Sequence, residues 1–125
     1  MEIPAQTTAL AQAAAIALDD KKAVGVLLLD VHELLVITDI FVIASGATSR
    51  QVKALVDEVE HRLRESERKP LRREGMEDAQ WVLLDYGDIV VHVFDAPTRA
   101  YYELERLWGD APRLDAGIPQ EERAI

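Results

Sequence analysis

Apolar and polar positions alternate along this chain in two different rhythms, and the rhythm changes mark the elements. After Pro4, an alanine-rich run places Leu10, Ala14, Ala17 and Leu18 at helical spacing, and Asp19 to Lys22 close it with charge. Proline fits a helix start because its missing N–H has no partner there in any case. The run from Val24 to Val31 is nearly unbroken aliphatic sequence and too short for a typical helix, which predicts a strand covered on both faces. A second apolar run, Leu34 to Ala44, predicts another strand that holds Thr38 and Asp39 in its middle and ends at Ser45-Gly46.

The clearest helix follows. Thr48-Ser49-Arg50-Gln51 has the form of a capping box, and Val52, Leu55, Val56, Val59 and Leu63 then recur on one face. Lys53 with Asp57, Glu58 with Arg62 and Glu60 with Arg64 supply opposite charges four apart on the other face. Beyond Pro70, Leu71 to Glu74 predicts a short edge strand guarded by basic residues. Trp81 to Asp85 and Asp88 to Phe94 flank Tyr86-Gly87, which predicts an antiparallel hairpin. Asp95 and Pro97 open a last helix with Tyr101, Leu104, Leu107 and Trp108 facing inward and Gly109 at its stop. Pro112, Gly117, Pro119 and a charged cluster predict a disordered tail over residues 111–125, leaving one domain over 1–110. The element order gives an α/β fold, a mixed sheet with helices packed on it.

Composition narrows the chemistry. In 125 residues, 49% are hydrophobic and only 6% aromatic, so the core is aliphatic. With no cysteine, thiolate chemistry and disulfides are excluded, and the chain suits a reducing cytosolic setting. No apolar run reaches the ~20 residues that a membrane span needs. The alanine-rich start has no basic leader and reads as an ordinary helix rather than a signal peptide. Fourteen Lys and Arg against 23 Asp and Glu give a net charge of −9, which repels phosphate backbones and disfavours direct nucleic-acid binding. A basic protein surface is instead attracted.

Catalytic constellations are weak. His32, His61 and His92 are scattered with no metal-ligand spacing; His61 falls on the wet side of its helix, and His92 reads as packed or hydrogen-bonded within its strand. Ser45-Gly46-Ala47-Thr48-Ser49 enters a helix without the Lys or glycine spacing of a phosphate loop, so capping explains it. A turn of this kind followed by strand acids is a loose likeness to nucleotidyltransferases, which makes a metal-dependent nucleotide-binding enzyme the alternative. However, Asp85 and Asp88 straddle a turn that need not put both on one face. Asp39 requires a partner if buried, such as the turn at Ser45 to Thr48, and Trp81 suits either the core or a binding anchor.

Three separated segments carry a resemblance. Thr38-Asp-Ile-Phe-Val-Ile-Ala-Ser-Gly-Ala-Thr-Ser-Arg-Gln-Val52, Trp81-Val-Leu-Leu-Asp-Tyr-Gly-Asp-Ile-Val-Val-His-Val-Phe94 and Tyr101-Tyr-Glu-Leu-Glu-Arg-Leu-Trp108 closely resemble the Iojap-like ribosomal silencing factors. The likeness runs over roughly residues 8 to 110 in the family's order, with Ile40 where the family more often has Tyr. It implies a nucleotidyltransferase-like fold without transferase activity or cofactor. It also implies a protein that binds ribosomal protein L-fourteen of the large subunit, blocks small-subunit joining, represses translation and forms a homodimer when free. Among the matching residues it points to Trp81, Asp85, Tyr86 and Asp88 at the contact, with Tyr101 and Glu103 as further candidates. Tyr86 and Asp88 also suit a plain turn-shaping role.

Overall fold

A computed structural model describes residues 2–118. The elements in chain order are α1 (Ala5–Asp20), β1 (Val24–Asp30), β2 (Ile40–Gly46), α2 (Ser49–Arg64), β3 (Arg72–Glu74), β4 (Trp81–Asp85), β5 (Ile89–Asp95), α3 (Ala96–Tyr102), α4 (Leu104–Leu107) and β6 (Arg113–Leu114). The strands form one sheet in the order β3-β4-β5-β2-β1-β6. Among the described strands, only β2 and β5 pair in parallel; every other neighbouring pair is antiparallel. This is the mixed α/β sheet that the hydrophobic pattern predicts.

One face of the sheet lies under α1 and α2. The stripe of Val52, Leu55, Val56, Val59 and Leu63 is fully buried there, against Ile40, Val42, Ile89, Val91 and Val93. Each such side chain contributes ~1.5–3 kcal/mol through apolar burial. α1 meets this layer with Ala11, Ala14, Ala15 and Ala17, all fully buried, and their small side chains let the helix lie close. Thr48 caps α2 by accepting from the Gln51 N–H at 3.1 Å. The Gln51 side chain reaches one residue past the cap and accepts from the Ala47 N–H at 2.7 Å, so the box closes over a wider turn than the sequence pattern suggests. Of the three expected charge pairs on α2, Glu58 with Arg62 forms at 2.9 Å, while Glu60 turns to Arg73 on β3.

Several expectations need correction. β1 is not covered along its whole length, because Gly25 at φ +62° and a bulge between Val24 and Leu27 swing Val24 out to solvent. The run Leu34 to Asp39 is not strand. β1 and β2 are antiparallel neighbours, so the chain must reverse between them, and the Leu34 and Leu35 N–H groups bond back to the Val31 carbonyl. Asp39 therefore lies at the mouth of β2, only half-buried, with its backbone N–H on the Asp88 carbonyl. The last helix breaks at Glu103, whose φ of +46° ends α3; Leu104 turns inward, whereas Tyr101 and Leu107 stay 80% and 73% exposed. Finally, part of the predicted disordered tail is ordered: Arg113–Leu114 pair with β1, and Ala111 and Ile118 are buried. The remainder of that prediction, residues 119–125, lies outside the described residues.

The hairpin forms one residue later than the spacing predicts. The Tyr86 N–H bonds to the Ile89 carbonyl at 2.9 Å, so Gly87 and Asp88 are the central pair, and Gly87 takes the positive φ of 91°. Among the described residues, no helix is long and apolar enough to cross a membrane.

Candidate functional site

Strand periodicity decides which side chains reach the second face of the sheet. Along β4, Trp81, Leu83 and Asp85 point away from the helices while Val82 and Leu84 point toward them. The register places Phe94, His92 and Val90 of β5 beside those three, and Phe41 and Ile43 of β2 beyond. This face has a cluster of its own, in which Leu29, Val31, Phe41, Ile43, Val90, Phe94 and Leu104 are buried and Leu83, Trp81 and Trp108 are half-covered. α3 and α4 cover one end and the β1–β2 loop the other. Between the β1–β2 loop and the start of β3 runs a groove of about 380 Å3, walled by Leu35, Ile37, Phe41, Leu71, Leu83 and Val90.

Aromatic rings organise this face. Trp81 stacks on Phe94 with ring centres 4.9 Å apart and meets Tyr102 at 5.0 Å. Its indole N–H donates to His92 Nδ1 at 3.1 Å, and Phe41 sets its edge against the same imidazole at 4.6 Å. His92 is 4% exposed, and burial lowers its pKa from 6.5 to about 4, so the ring is neutral near pH 7. Apolar side chains stand exposed around the groove, with Val36 fully out and Ile37 and Leu71 at 83% and 76%. Isolated exposed apolar residues are ordinary; a contiguous group beside a half-open aromatic cluster marks a surface for contact.

The six residues singled out from sequence do not share one surface. Trp81 and Asp85 lie on the open face, and Tyr101 and Glu103 are exposed at the end of α3. Asp85 accepts from the Gly87 N–H at 2.8 Å and meets Arg72 at 3.4 Å. Tyr86 is corrected to a core residue: it is 2% exposed and faces the helical layer, where burial pushes its hydroxyl up to about 12. Asp88 is tied to the helical side, accepting from Arg68 at 2.7 Å and from the Thr7 hydroxyl at 3.2 Å. Burial raises the Asp88 carboxyl, but the Arg68 contacts outweigh it and hold the group below the ordinary carboxylate value. Sequence reasoning missed Phe41, Leu83, Ile37 and Leu71. The period-2 alternation of β4 would have placed Leu83 beside Trp81.

Asp85 and Asp88, the acids of the enzyme alternative, thus serve separate contacts on opposite sides of the hairpin. Among the described residues, no three His, Cys, Asp or Glu side chains gather as a metal ion would need. What the geometry defines is a small α/β protein with one sheet face closed by helices and the other presented for contact.

The chain belongs to the ribosomal silencing factor family. The family described as "Ribosomal silencing factor during starvation" (RsfS) matches residues 4–124. Similar proteins include the ribosomal silencing factor RsfS of Bacillus subtilis, 44% identical over 86% of this chain and 92% of the relative. The factor of the same name from Halalkalibacterium halodurans is 46% identical over 85% and 91%. The chloroplastic protein Iojap of Arabidopsis thaliana is 31% identical, covering 96% of this chain and 49% of that protein. Among solved structures, a Chromobacterium violaceum protein superposes with a TM-score of 0.79 at 35% identity over 95% of both chains. A Bacillus halodurans protein gives 0.73 at 42% identity, over 83% of this chain and 94% of the other.

Proposed function

We propose that this chain attaches through its open sheet face to ribosomal protein L-fourteen of the large subunit and so keeps the small subunit from joining, repressing translation without catalysis or a cofactor. The observation that carries this reading is the half-open aromatic and aliphatic face around Trp81, which has the make-up of a contact surface: a rigid ring anchor, apolar walls and a carboxylate at the rim. Family membership supplies the ribosomal context. The net charge of −9 favours a cationic protein neighbour over ribosomal RNA. Trp81 anchors the contact, Asp85 meets a basic side chain at its rim, and Tyr101 and Glu103 extend it past α3. Tyr86 and Asp88 support the hairpin from behind. The protein works in the cytosol, and off the ribosome the same face is available to a second copy, which makes a homodimer the free form.

Sedimentation of purified subunits with and without the protein tests the reading. Joined ribosomes decrease as protein is added, and undiminished joining at saturating protein refutes it. The enzyme alternative predicts binding heat with nucleotide and magnesium that Asp85→Asn abolishes, and calorimetry without heat removes it.

A further inference from the structure

Two buried polar atoms beside the groove have no hydrogen-bond partner among the described residues: Thr38 Oγ1 and His92 Nε2. Both side chains line the groove, and the residues are only 5% and 4% exposed. The state of the imidazole follows from its neighbour. Because the Trp81 N–H donates to Nδ1, that nitrogen is the acceptor, and the single proton of the neutral ring sits on Nε2. Nε2 is therefore a donor without an acceptor among the described residues. A buried donor or hydroxyl left unpaired is a net cost to a folded chain, and native proteins rarely keep one without a reason. Here the atoms lie under a wall that can yield, since Ile37 and Leu71 stand largely in solvent with little packing to hold them.

We propose that Thr38 and His92 form the polar floor of a slot that takes an apolar side chain of a basic protein partner together with its adjacent backbone carbonyl. The carbonyl oxygen accepts from His92 Nε2–H, and the Thr38 hydroxyl completes the polar contact. The chemistry of the occupant follows from its surroundings. Aliphatic and aromatic walls select an apolar group. The net charge of −9 disfavours a carboxylate as the acceptor, while within the groove Asp85 is partnered by Arg72 at 3.4 Å. Cationic residues next to the inserted side chain share Asp85 at the rim with Arg72, whose 3.4 Å contact is long and solvent-exposed. This inference rests on the open face being the large-subunit contact, and it assigns the two residues that give that contact its polar specificity.

Thr38→Val tests it, since the exchange removes the hydroxyl and keeps the shape. The thermal midpoint of the free protein is expected to rise, because an unpaired buried hydroxyl is gone. Affinity for purified large subunits is expected to fall about tenfold, the loss of one well-placed hydrogen bond. Thr38→Ser keeps the hydroxyl and binds like the wild type. His92→Gln, with an amide N–H in place of Nε2–H, keeps most of the affinity that His92→Phe loses. If Thr38→Val binds large subunits as tightly as the wild type, or melts lower than it, the slot is refuted. Equal losses for Thr38→Ser and Thr38→Val refute it as well. Failure of the docking reading itself shows differently, as a wild-type protein that does not bind large subunits.

Discussion

Acid should weaken this fold through one histidine well before the carboxylates respond. His92 is held neutral by burial, with its pKa lowered from 6.5 to about 4. Once the chain unfolds, the ring regains water and titrates at its ordinary value. Between those two values the unfolded state binds a proton that the folded state does not, so stability falls as pH falls from 6.5 and levels off below about 4. At ~1.4 kcal/mol per pH unit, the full span is worth about 3 kcal/mol, and most of it, about 2 kcal/mol, is lost between pH 7 and pH 4.5. That is a large share of the ~5–15 kcal/mol by which a domain of this size is stable. Urea unfolding at both pH values, extrapolated linearly to water, measures it for the wild type and for His92→Gln, which keeps an acceptor for the Trp81 N–H but does not titrate. The variant should lose about 2 kcal/mol less than the wild type over this range. Parallel pH dependence in the two proteins would refute the reasoning, because it would mean that His92 is solvated or already charged in the folded chain.

Other outcomes follow from single contacts. Gly75 has φ +89°, and a β-carbon there would lie 2.1 Å from the Trp81 carbonyl oxygen, so Gly75→Ala should cost about 2 kcal/mol or more and disturb the Trp81 ring, read by denaturant unfolding and indole fluorescence. Thr48→Ala removes the acceptor that caps α2 and should cost about 1 kcal/mol in the same unfolding measurement. Asp88→Asn weakens the link from Arg68 and Thr7 and should cost about 1–2 kcal/mol near pH 7. Because the native Asp88 carboxyl is held below its ordinary value, that difference is present above pH ~4 and shrinks as pH falls through the folded value. Trp81→Ala should weaken large-subunit binding by about 2 kcal/mol, measured by pelleting, if the ring anchors the contact.

The sequence was most legible where one periodicity served one face. The α2 stripe, its Thr48 cap and the hairpin strands were all readable, since each is a local pattern whose burial partner need not be known. Leu34 to Ile37 was not, because apolar residues in a reversing loop look like a strand until the antiparallel pairing of β1 and β2 is seen. The end of the chain misled for a related reason: Pro112 and Gly117 suggest disorder, yet β1 has a free edge that Arg113–Leu114 can pair with. At the site, Trp81 and Asp85 were recognisable as a pair four residues apart on one strand face. Tyr86 and Asp88 were misplaced with them because the turn centre lies one residue later, which sends the tyrosine ring into the helical core. His92 looked like any packed strand histidine, and only the Trp81 hydrogen bond reveals which nitrogen carries its proton.

A pair of matched charge insertions on opposite sides of the molecule bears most directly on the claim that the open sheet face meets the large subunit. Ile37→Glu adds a carboxylate to the exposed groove wall, and Ala54→Glu adds one to the exposed side of α2, so neither disturbs the core. With affinity for large subunits measured side by side, Ile37→Glu should bind at least about tenfold more weakly than the wild type while Ala54→Glu binds within about twofold of it. Equal binding by all three proteins, or loss confined to Ala54→Glu, would contradict the account.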